Sequence, residues 1–524
     1  MLGAGLAVAL AAAGPAQAQK AGGTLRIQLA DTPPSASLHE EITVSAAVPF
    51  MGVFNNLVIY DQHEPRNTFD TIRPELATAW TVSPDGREVR FSLRQGVKWH
   101  DGKPFTAADV RCTFDLLMGK GEAKLRQNPR GVWYENVEEV VTDGDASVTF
   151  RLKKPQPSLL AFLAAGWSAI YPCHVAPADM RKHPVGTGPF RFVEMKSNER
   201  VKLEKNRDYW KPGRPYLDAI QYDIIANRAT RMLAFTAGKS DMTFPTDVTV
   251  PLLKDIRQQS PQAQCTLRPL GVSYNLIVNR DAPPFNDPRL RKALALALDR
   301  KAFVDITSEG HDIVGGAMLP PPPGVWGVGA EALKDQPGYG PDLEAAREQA
   351  RALVREAGYG PDKRLKMKVS TRNIASYRDL AVILVDQLKA IHVEAEVEPI
   401  DSAVYFNRLY QKNYVLAVNA TGSSLDDPDQ HFVENYGCRS PRNFNGYCNA
   451  ELTALMARQS EERDVEKRRA VVHEIERLLA GDIVRPILSH TVAAACQQAQ
   501  VRGITIMVNS IYNGWRFEDA WLDR

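Results

Sequence analysis

Helical and strand patterns alternate over residues 342–400, and this alternation restricts the fold more than any other feature of the sequence. One amphipathic helix is predicted over 342–357 and a second over 376–391. Each is followed by a predicted strand, RLKMKVST (364–371) and VEAEVEPI (393–400). Because neighbouring parallel strands need a crossover helix, this order predicts a βαβ unit and therefore an α/β core.

The first half of the chain adds a second set of elements. Strands are predicted at 24–30, 87–93 and 147–155, with a helix at 108–119. A chain of 524 residues is too long for one compact core, so at least two domains are expected. The 64 basic and 62 acidic residues give a net charge of +2, which argues against nucleic acid as a partner.

Three segments in the second half carry more specific predictions. The segment NDPRLRKALALALDRKAFVDIT (286–307) is predicted to be one helix, because its leucines and alanines recur at helical spacing. The segment 461–482 predicts a long amphipathic helix whose charged residues form a solvated face. Between them, GAMLPPPPGVWG (316–327) contains four consecutive prolines and predicts an extended segment on the surface or lining a cleft.

The first 18 residues resemble a secretory signal peptide. An apolar run through Ala13 leads to Ala16-Gln17-Ala18, which matches the small-residue cleavage pattern. No Lys or Arg precedes the apolar run, which suggests that the gene starts upstream. A buried N-terminal helix is the alternative. We expect cleavage near Ala18, a mature chain in the periplasm, and no membrane-spanning segment elsewhere.

An exported chain with six cysteines is expected to form disulfides. Cys438 and Cys448 are the best pair, because they enclose a short segment rich in turn-forming residues. Cys112 with Cys173, and Cys265 with Cys496, remain by elimination, and the sequence does not fix how these four pair. The cysteines lack the spacing of a zinc site.

The stretch HPVGTGPFRF (183–192) tests a nucleotide-binding hypothesis. Gly186 and Gly188 permit the close backbone approach that a phosphate loop requires. However, no Lys and Ser/Thr pair follows the last glycine, and Pro189 leads into an alternating strand pattern instead. A phosphate site is therefore rejected in favour of a turn that feeds a strand.

Motifs for catalysis or metal binding are scarce. The segment SSLDDPDQHF (423–432) places Asp426, Asp427, Asp429 and His431 close together. A cation site and a polar loop with Asx turns both explain this cluster, and the loop is favoured. No catalytic residue, metal site or cofactor is predicted.

Several segments, in order along the chain, resemble the family 5 extracytoplasmic solute-binding proteins. Pro74 to Val110 is similar to the family signature, and Pro184 to Ile220 is similar to its G-T-G-P-[FY] and N-x-D-Y-W segments. The segments 283–304 and 444–456 extend the similarity. Members of this family are the dipeptide-, oligopeptide- and nickel-binding components of ABC importers.

The resemblance implies an α/β two-lobe periplasmic-binding-protein fold, with a ligand cleft between the lobes and hinge strands that join them. The expected boundaries are 1–18 for the signal peptide, 19–268 for lobe I, 269–489 for lobe II, and 490–524 for the C-terminal return to lobe I. An extra subdomain is expected within lobe I at about 50–172. The expected partners are an ABC permease and ATPase subunits on separate chains.

The resemblance also implies residues that bind the two ends of a peptide. Relatives hold the peptide amine with an Asp three residues before a D-P or E-P step, and here Ser424 stands three residues before Asp427. Asp426 or Asp427 is the substitute that a shifted register would offer. Dipeptide-binding relatives pair the ligand's carboxylate with an Arg just after a strand, which is Arg372 here.

Residues on irregular segments and strands complete the predicted site. Aromatic walls bind side chains without strict demands on their sequence, although many such residues belong to the core. The candidates are Tyr274 with its neighbour Asn275, Trp326, Tyr512 and Trp515, and Asp429 is included from the acidic cluster.

The sequence thus predicts a solute-binding protein that captures a short peptide or peptide-like carboxylate and is not an enzyme. The alternative is a non-peptide solute on the same fold, such as a nickel chelate or other metallophore, an opine or a sugar. A secreted hydrolase is a remote alternative, since it would need a nucleophile and base or two opposed carboxylates in a cleft.

Overall fold

A computed structural model describes residues 19–244, 246–322 and 324–524. The predicted signal peptide at 1–18 lies outside these residues. Within the described ranges, no helix combines the length and the apolar character that crossing a bilayer requires.

The elements of the first half, in chain order, are β1 Thr24–Leu29, α1 Val44–Phe50, β2 Val58–Tyr60, β3 Ile72–Pro74, β4 Ala77–Val82, β5 Glu88–Leu93, α2 Ala107–Leu117, β6 Val137–Asp143, β7 Ser147–Leu152, α3 Leu159–Ala164, α4 Pro177–Met180, β8 Phe190–Lys196, β9 Arg200–Lys205, β10 Ala219–Ile224, α5 Arg228–Thr236 and α6 Val250–Gln259.

The elements of the second half are β11 Gln264–Val278, α7 Pro288–Ala297, α8 Arg300–Ser308, α9 Leu343–Glu356, β12 Leu365–Arg372, α10 Ala375–Leu388, β13 Val393–Ile400, α11 Ser402–Tyr410, β14 Leu416–Gly422, α12 Pro428–Tyr436, α13 Ala450–Glu461, α14 Val465–Gly481, β15 Ile487–Gln497, β16 Val501–Arg502 and β17 Trp521–Leu522.

The first lobe is built on the sheet β1-β10-β9-β8, in which β1 runs parallel to β10. A separate antiparallel sheet, β4-β5-β7-β6, lies within the region predicted as an insertion. Its alternating residues Val89, Phe91 and Phe150 turn inward and join the same continuous apolar core as Leu25 and Ile220. The first lobe therefore shares one core across both of its sheets.

The second lobe is built on the sheet β13-β12-β14-β11-β15. Strands β12 and β13 are parallel over their whole length, and α10 connects them. This confirms the predicted βαβ unit. Leu380, Leu384 and Leu388 recur on one face of α10 and pack into a core with Val369 and Leu416.

Two long antiparallel strands, β11 and β15, run from one lobe into the other. The ladder runs from Gln264–Gln497 at one end to Asn275–Ile487 at the other, and its larger register shift lies between Pro269 and Ser273. Gly271 lies within this shift at φ 63°, and a Cβ added there would lie 2.6 Å from the Asn509 carbonyl oxygen. Glycine is therefore required at this hinge position.

The prediction of one helix over 286–307 is wrong, because α7 ends at Ala297 and α8 begins at Arg300. Leu298 is extended between them, with ψ 114°. The Asp299 carboxylate accepts the Ala302 N–H at 2.9 Å, while the Asp299 N–H donates to Gln387 at 2.9 Å. An N-cap on Asp299 thus starts a new helix where the hydrophobic period alone suggested continuity.

The prediction that the charges of 461–482 form a solvated face is also wrong in part. Glu476 is fully buried, and its carboxylate accepts the N–H groups of Ala317 and Met318 at 2.8 Å and of Leu319 at 3.1 Å. Burial raises the pKa of Glu476 to about 7, although these hydrogen bonds oppose the shift. A charged residue of α14 therefore fixes the start of the proline segment.

The structure pairs all six cysteines, as Cys112–Cys173, Cys265–Cys496 and Cys438–Cys448. The last pair closes the short loop predicted from the sequence. Cys265 and Cys496 face each other directly on β11 and β15.

The glycines of HPVGTGPFRF allow the backbone to pack against residues 52 and 53. A Cβ on Gly186 would lie 1.9 Å from the Val53 carbonyl oxygen, and the Gly188 N–H donates to that oxygen at 2.9 Å. The Thr187 hydroxyl donates to Asn55 at 3.0 Å, and β8 follows. The segment is a turn that feeds a strand, and its glycines pack against protein backbone.

Candidate functional site

A cavity of about 60 Å³ lies between the two lobes, and we name it the interlobe cavity. Its first-lobe lining comes from the segment between β1 and α1, from the residues before α6 and from the C-terminal segment, and its second-lobe lining comes from strands, helices and loops. Polar and aromatic residues that line it include Asp31, Thr43, Tyr274, Arg372, Tyr377, Asn419, Arg442, Arg485 and Tyr512.

Arg372, at the end of β12, forms an ion pair across this cavity. Its Nη2 donates to the Asp31 carboxylate at 2.6 Å, and Asp31 belongs to the first lobe. Its Nε donates to the Ser402 hydroxyl at 3.0 Å and its Nη1 to the Tyr377 hydroxyl at 3.1 Å. Burial opposes the charge, but Tyr377 and Asp31 together raise the pKa of Arg372. Arg372 is thus a fixed cation at the junction of the lobes.

Arg442 and Arg485 form a second cationic group on the cavity wall. Arg442 Nη1 donates to Glu434, but its buried Nε has no hydrogen-bond partner in the described part of the chain. Arg485 Nη1 donates to Asn435 at 2.6 Å. Among residues 19–244, 246–322 and 324–524, no carboxylate forms an ion pair with Arg485, and burial lowers its pKa.

Two further polar atoms on the cavity wall are buried without a partner. They are the Asn419 side-chain oxygen, which accepts hydrogen bonds, and the Thr43 hydroxyl, which accepts or donates one. Unpartnered buried polar groups are uncommon, because each loses its hydration without replacement. The residues that line the cavity therefore carry three buried polar atoms without a partner in the described residues: the cationic donor Arg442 Nε and the neutral groups of Asn419 and Thr43.

A second, more apolar cavity of about 310 Å³ shares Val272 with the first, and we name it the proline cavity. Leu319, Pro320, Pro321 and Trp326 line it, so the proline segment is cleft-lining. Two buried histidines also line it, and burial lowers the pKa of His431 to about 3 and of His490 to about 4.

The acidic cluster is largely an internal ion-pair network. Arg468 donates to both carboxylate oxygens of Asp427, each at 2.7 Å. Asp429 accepts from Ser158 at 2.7 Å and from Ser460 at 2.8 Å. No group of three or more His, Cys, Asp or Glu suited to a metal ion occurs in the described residues. Asp427 and Asp429 thus have partners within the protein.

The structure distributes the predicted site residues over several environments. Arg372, Tyr274 and Tyr512 line the interlobe cavity, while Trp326, Asp426 and Asp427 line the proline cavity. The remaining four, Ser424, Asn275, Asp429 and Trp515, line neither cavity.

Local packing explains why these four lie away from the cavities. The Ser424 N–H and hydroxyl both bond Gln430, and Asn275 donates to Thr421 within the sheet at 3.0 Å. Trp515 donates to the Ile511 carbonyl at 2.9 Å and packs on Phe517. These hydrogen bonds and contacts are all internal to the fold.

Sequence reasoning missed Asp31, Asn419, Arg442 and Arg485. Arg442 lies between the cysteines of a closed loop and Arg485 directly precedes Pro486, and neither position has a local pattern that indicates burial. Asp31 follows the predicted strand β1, and the end of a strand is the only signal that the sequence offered for it.

Comparison with known proteins places this fold in a family. Residues 71–443 match the model of bacterial extracellular solute-binding proteins, family 5. A probable di/tripeptide-binding protein 5 of Pseudomonas aeruginosa is 25% identical over 484 residues, covering 87% of each chain. The oligopeptide-binding protein AppA of Bacillus subtilis is 28% identical over 409 residues, covering 74% of this chain and 72% of AppA.

The fold also matches solved structures. The periplasmic binding protein DppA of Helicobacter pylori, in complex with the peptide STSA, superposes with a TM-score of 0.85 and 22% identity. The match covers 96% of this chain and 99% of that one. The predicted two-lobe α/β architecture is confirmed, and the chain belongs to the family 5 bacterial extracellular solute-binding proteins.

Proposed function

We propose that this protein is the solute-binding component of an ABC importer and captures a short peptide or peptide-like carboxylate in the interlobe cavity. Closure of the lobes removes water from the site and strengthens its hydrogen bonds. The loaded protein then delivers the solute to a membrane permease whose ATPases are separate chains. It carries out no chemical reaction. Relatives named for binding dipeptides, tripeptides and oligopeptides support this ligand class.

The observation that carries the proposal is Arg372, a buried guanidinium in a cavity lined by both lobes. The Asp31 carboxylate now lies 2.6 Å from Nη2 of Arg372. A ligand carboxylate that binds Arg372 takes the place of Asp31 at this nitrogen. Guanidinium groups bind carboxylates through paired, charge-assisted hydrogen bonds. Asp31 therefore acts as a competitor that an incoming carboxylate has to displace.

We assign the opposite end of a peptide to Asp426 in the proline cavity. Ser424 carries no charge, and Asp427 already pairs with Arg468. Burial raises the pKa of Asp426, which Arg66 only partly opposes. A ligand amine would supply the cation that this carboxylate lacks. Val272 lines both cavities, so a ligand that reaches both ends passes beside it.

We further propose that the mature chain begins near Gln19 after export to the periplasm. Lobe I then comprises 19–268 and 490–524, with an insertion at about 50–172, and lobe II comprises 269–489. The crossing strands β11 and β15 support these limits, because their register shifts between Pro269 and Ser273.

The proposal is tested by a thermal-shift screen of the chain from Gln19 with di- to pentapeptides, free and N-acetylated, and with opines, sugars and nickel chelates. A ligand at 100 times its Kd adds about 2.7 kcal/mol of stability. Peptides or peptide-like carboxylates should raise the melting temperature. A response to sugars or nickel chelates alone would refute the proposed ligand class.

Variants at Arg372 identify the carboxylate partner by titration calorimetry. Arg372→Ala should weaken the best ligand about 10–100-fold, because a charge-assisted hydrogen bond is lost. Asp31→Asn should strengthen binding, since the competing carboxylate is removed. Arg378→Ala, an exposed arginine on α10, is the matched control and should leave affinity unchanged. Unchanged affinity in Arg372→Ala would exclude Arg372 as the carboxylate partner.

A further inference from the structure

We propose that the interlobe cavity contains a second acid-binding subsite, formed by Arg442 and Arg485, and that the ligand carries an anionic group for it in addition to the carboxylate that binds Arg372. This inference rests on the proposed function and narrows the ligand to a diacid, such as an acidic or N-succinylated peptide. Ser424 and the predicted peptide amine play no part in it.

The first support is an imbalance of buried charge. Arg442 lies close enough to both Arg130 and Arg485 to lower their pKa values, and all three arginines are at least nine-tenths buried. Glu434 is the carboxylate that neutralises this group, through its ion pair with Arg442. Arg130 donates instead to the carbonyl oxygens of Leu38 and Glu41. The three arginines carry three positive charges and Glu434 carries one negative charge, so the group has a net charge of about +2.

Three other buried arginines each have a carboxylate partner: Arg231 pairs with Asp247, Arg468 with Asp427, and Arg516 with Glu75. A fourth, Arg300, donates instead to the carbonyl oxygens of Ile487 and Gly338. Burying a charge without an opposite charge is strongly unfavourable. An anionic ligand would remove this cost, so the excess charge at Arg442 and Arg485 favours a bound anion.

The second support is a set of unpartnered polar atoms on residues that line the cavity. Arg442, Asn419 and Thr43 line it, and each has one buried polar atom without a hydrogen-bond partner among the described residues. Arg442 Nε donates a charge-assisted hydrogen bond to an anionic oxygen. The Asn419 oxygen accepts only, so it requires an N–H or O–H of the ligand. An acid whose neighbouring atom is an amide N–H satisfies both groups, and peptide-like diacids have this arrangement.

Matched ligands test the subsite in the unmodified protein. Titration calorimetry would compare Ala-Glu with Ala-Gln, Glu-Ala with Gln-Ala, and N-succinyl-alanine with N-acetyl-alanine. We expect at least one diacid to bind about 10–100-fold more tightly than its partner with one carboxylate fewer, because one further charge-assisted hydrogen bond forms. If every diacid binds no better than its partner, the subsite is refuted while the proposed function stands. If neither type of ligand binds, the proposed function fails with it.

A double variant then locates the preference. Arg442→Gln combined with Glu434→Gln removes the Arg442 guanidinium that donates to the ligand, without leaving Glu434 unpaired and without changing the net charge of the group. The preference for the diacid should fall sharply, because the charge-assisted hydrogen bond from Arg442 is lost. Arg439→Gln is the matched control, because it makes the same change in the same loop at a side chain that is 83% exposed. Circular dichroism and thermal melting verify the fold of each variant. A preference that persists in a folded double variant would overturn the assignment.

Discussion

The two ends of helix α12 compare a complete buried charge network with an incomplete one. At its start, Asp427 forms an ion pair with Arg468, and Asp429 lies 3.7 Å from the same guanidinium and accepts hydrogen bonds from Ser158 and Ser460. Near its end, Glu434 pairs with Arg442, while Arg485 donates to Asn435 and has no carboxylate partner among the described residues. Both ends are buried, so burial does not distinguish them. The difference suggests that a buried charge is structural where its partners are complete and available to a ligand where they are not.

The largest loss of stability should come from removing Arg468, the cation of the network at the start of α12. Arg468→Met leaves Asp427 and Asp429 buried without their cation and should lower the free energy of unfolding by about 3–5 kcal/mol. Urea unfolding followed by circular dichroism measures this change. Arg469→Met on the same helix is the control, since Arg469 is partly exposed, forms its ion pair with exposed Glu466 and otherwise donates to the Val325 carbonyl oxygen. A loss below about 1 kcal/mol would place this network with ordinary surface ion pairs.

The second prediction concerns the network near the end of α12. Arg442 belongs to this network and lies in the loop closed by the Cys438–Cys448 disulfide. Replacing both cysteines with serine should lower the free energy of unfolding by about 2–3 kcal/mol through the entropy of the opened loop. Ligand affinity should fall as well, since the loop that positions Arg442 becomes less ordered. Full affinity at reduced stability would show that the loop's position does not depend on the crosslink.

The smallest effect concerns pH and the middle of α12, where His431 lies. Burial, with a contribution from Arg442, lowers its pKa to about 3. The unfolded chain, with a histidine pKa of about 6.5, binds more protons between these values, so stability falls as pH decreases through this range. From pH 7 to 5 the loss should be about 2 kcal/mol from this residue.

Unfolding of His431→Gln measured at both pH values tests this expectation. The variant should lose about 2 kcal/mol less than the unmodified protein on acidification, by the same proton linkage. The control is His63→Gln, because His63 is exposed. If His431→Gln and the unmodified protein show identical pH dependence, the pKa of His431 is the same in the folded and the unfolded chain, and burial does not lower it.

The βαβ unit was predictable because it depends on periodicity and on segment order, whereas the two-lobe fold followed from the resemblance to family 5. The closed loop at Cys438–Cys448 was predictable because its partners are close in sequence. Arg372 was predictable through the same resemblance, since dipeptide-binding relatives place an Arg just after this strand. Its partner Asp31 lies 341 residues away, and no local signal connects the two.

The network near the end of α12 was not predictable, because its partners are also distant from one another in sequence. Arg485 and its partner Asn435 lie 50 residues apart, and neither stands out in its own segment. Arg468 and Glu476 resemble surface charges of an amphipathic helix, and only the packing of α14 against the acidic cluster and the proline segment buries them. Sequence patterns report which face of an element is apolar, whereas pairing of charges depends on tertiary contacts.

The positions of the disulfides have a mechanical consequence. Cys112–Cys173 and Cys265–Cys496 lie on the side of the first lobe, and Cys438–Cys448 lies within the second. Every cysteine in the described chain is used in this way, and none of these crosslinks spans the cleft. Within the described residues, the lobes are therefore joined covalently by the backbone of the crossing strands, while contacts such as the Arg372–Asp31 ion pair between the lobes are non-covalent. Disulfide formation therefore stabilises each lobe separately and does not restrict rotation of one lobe relative to the other.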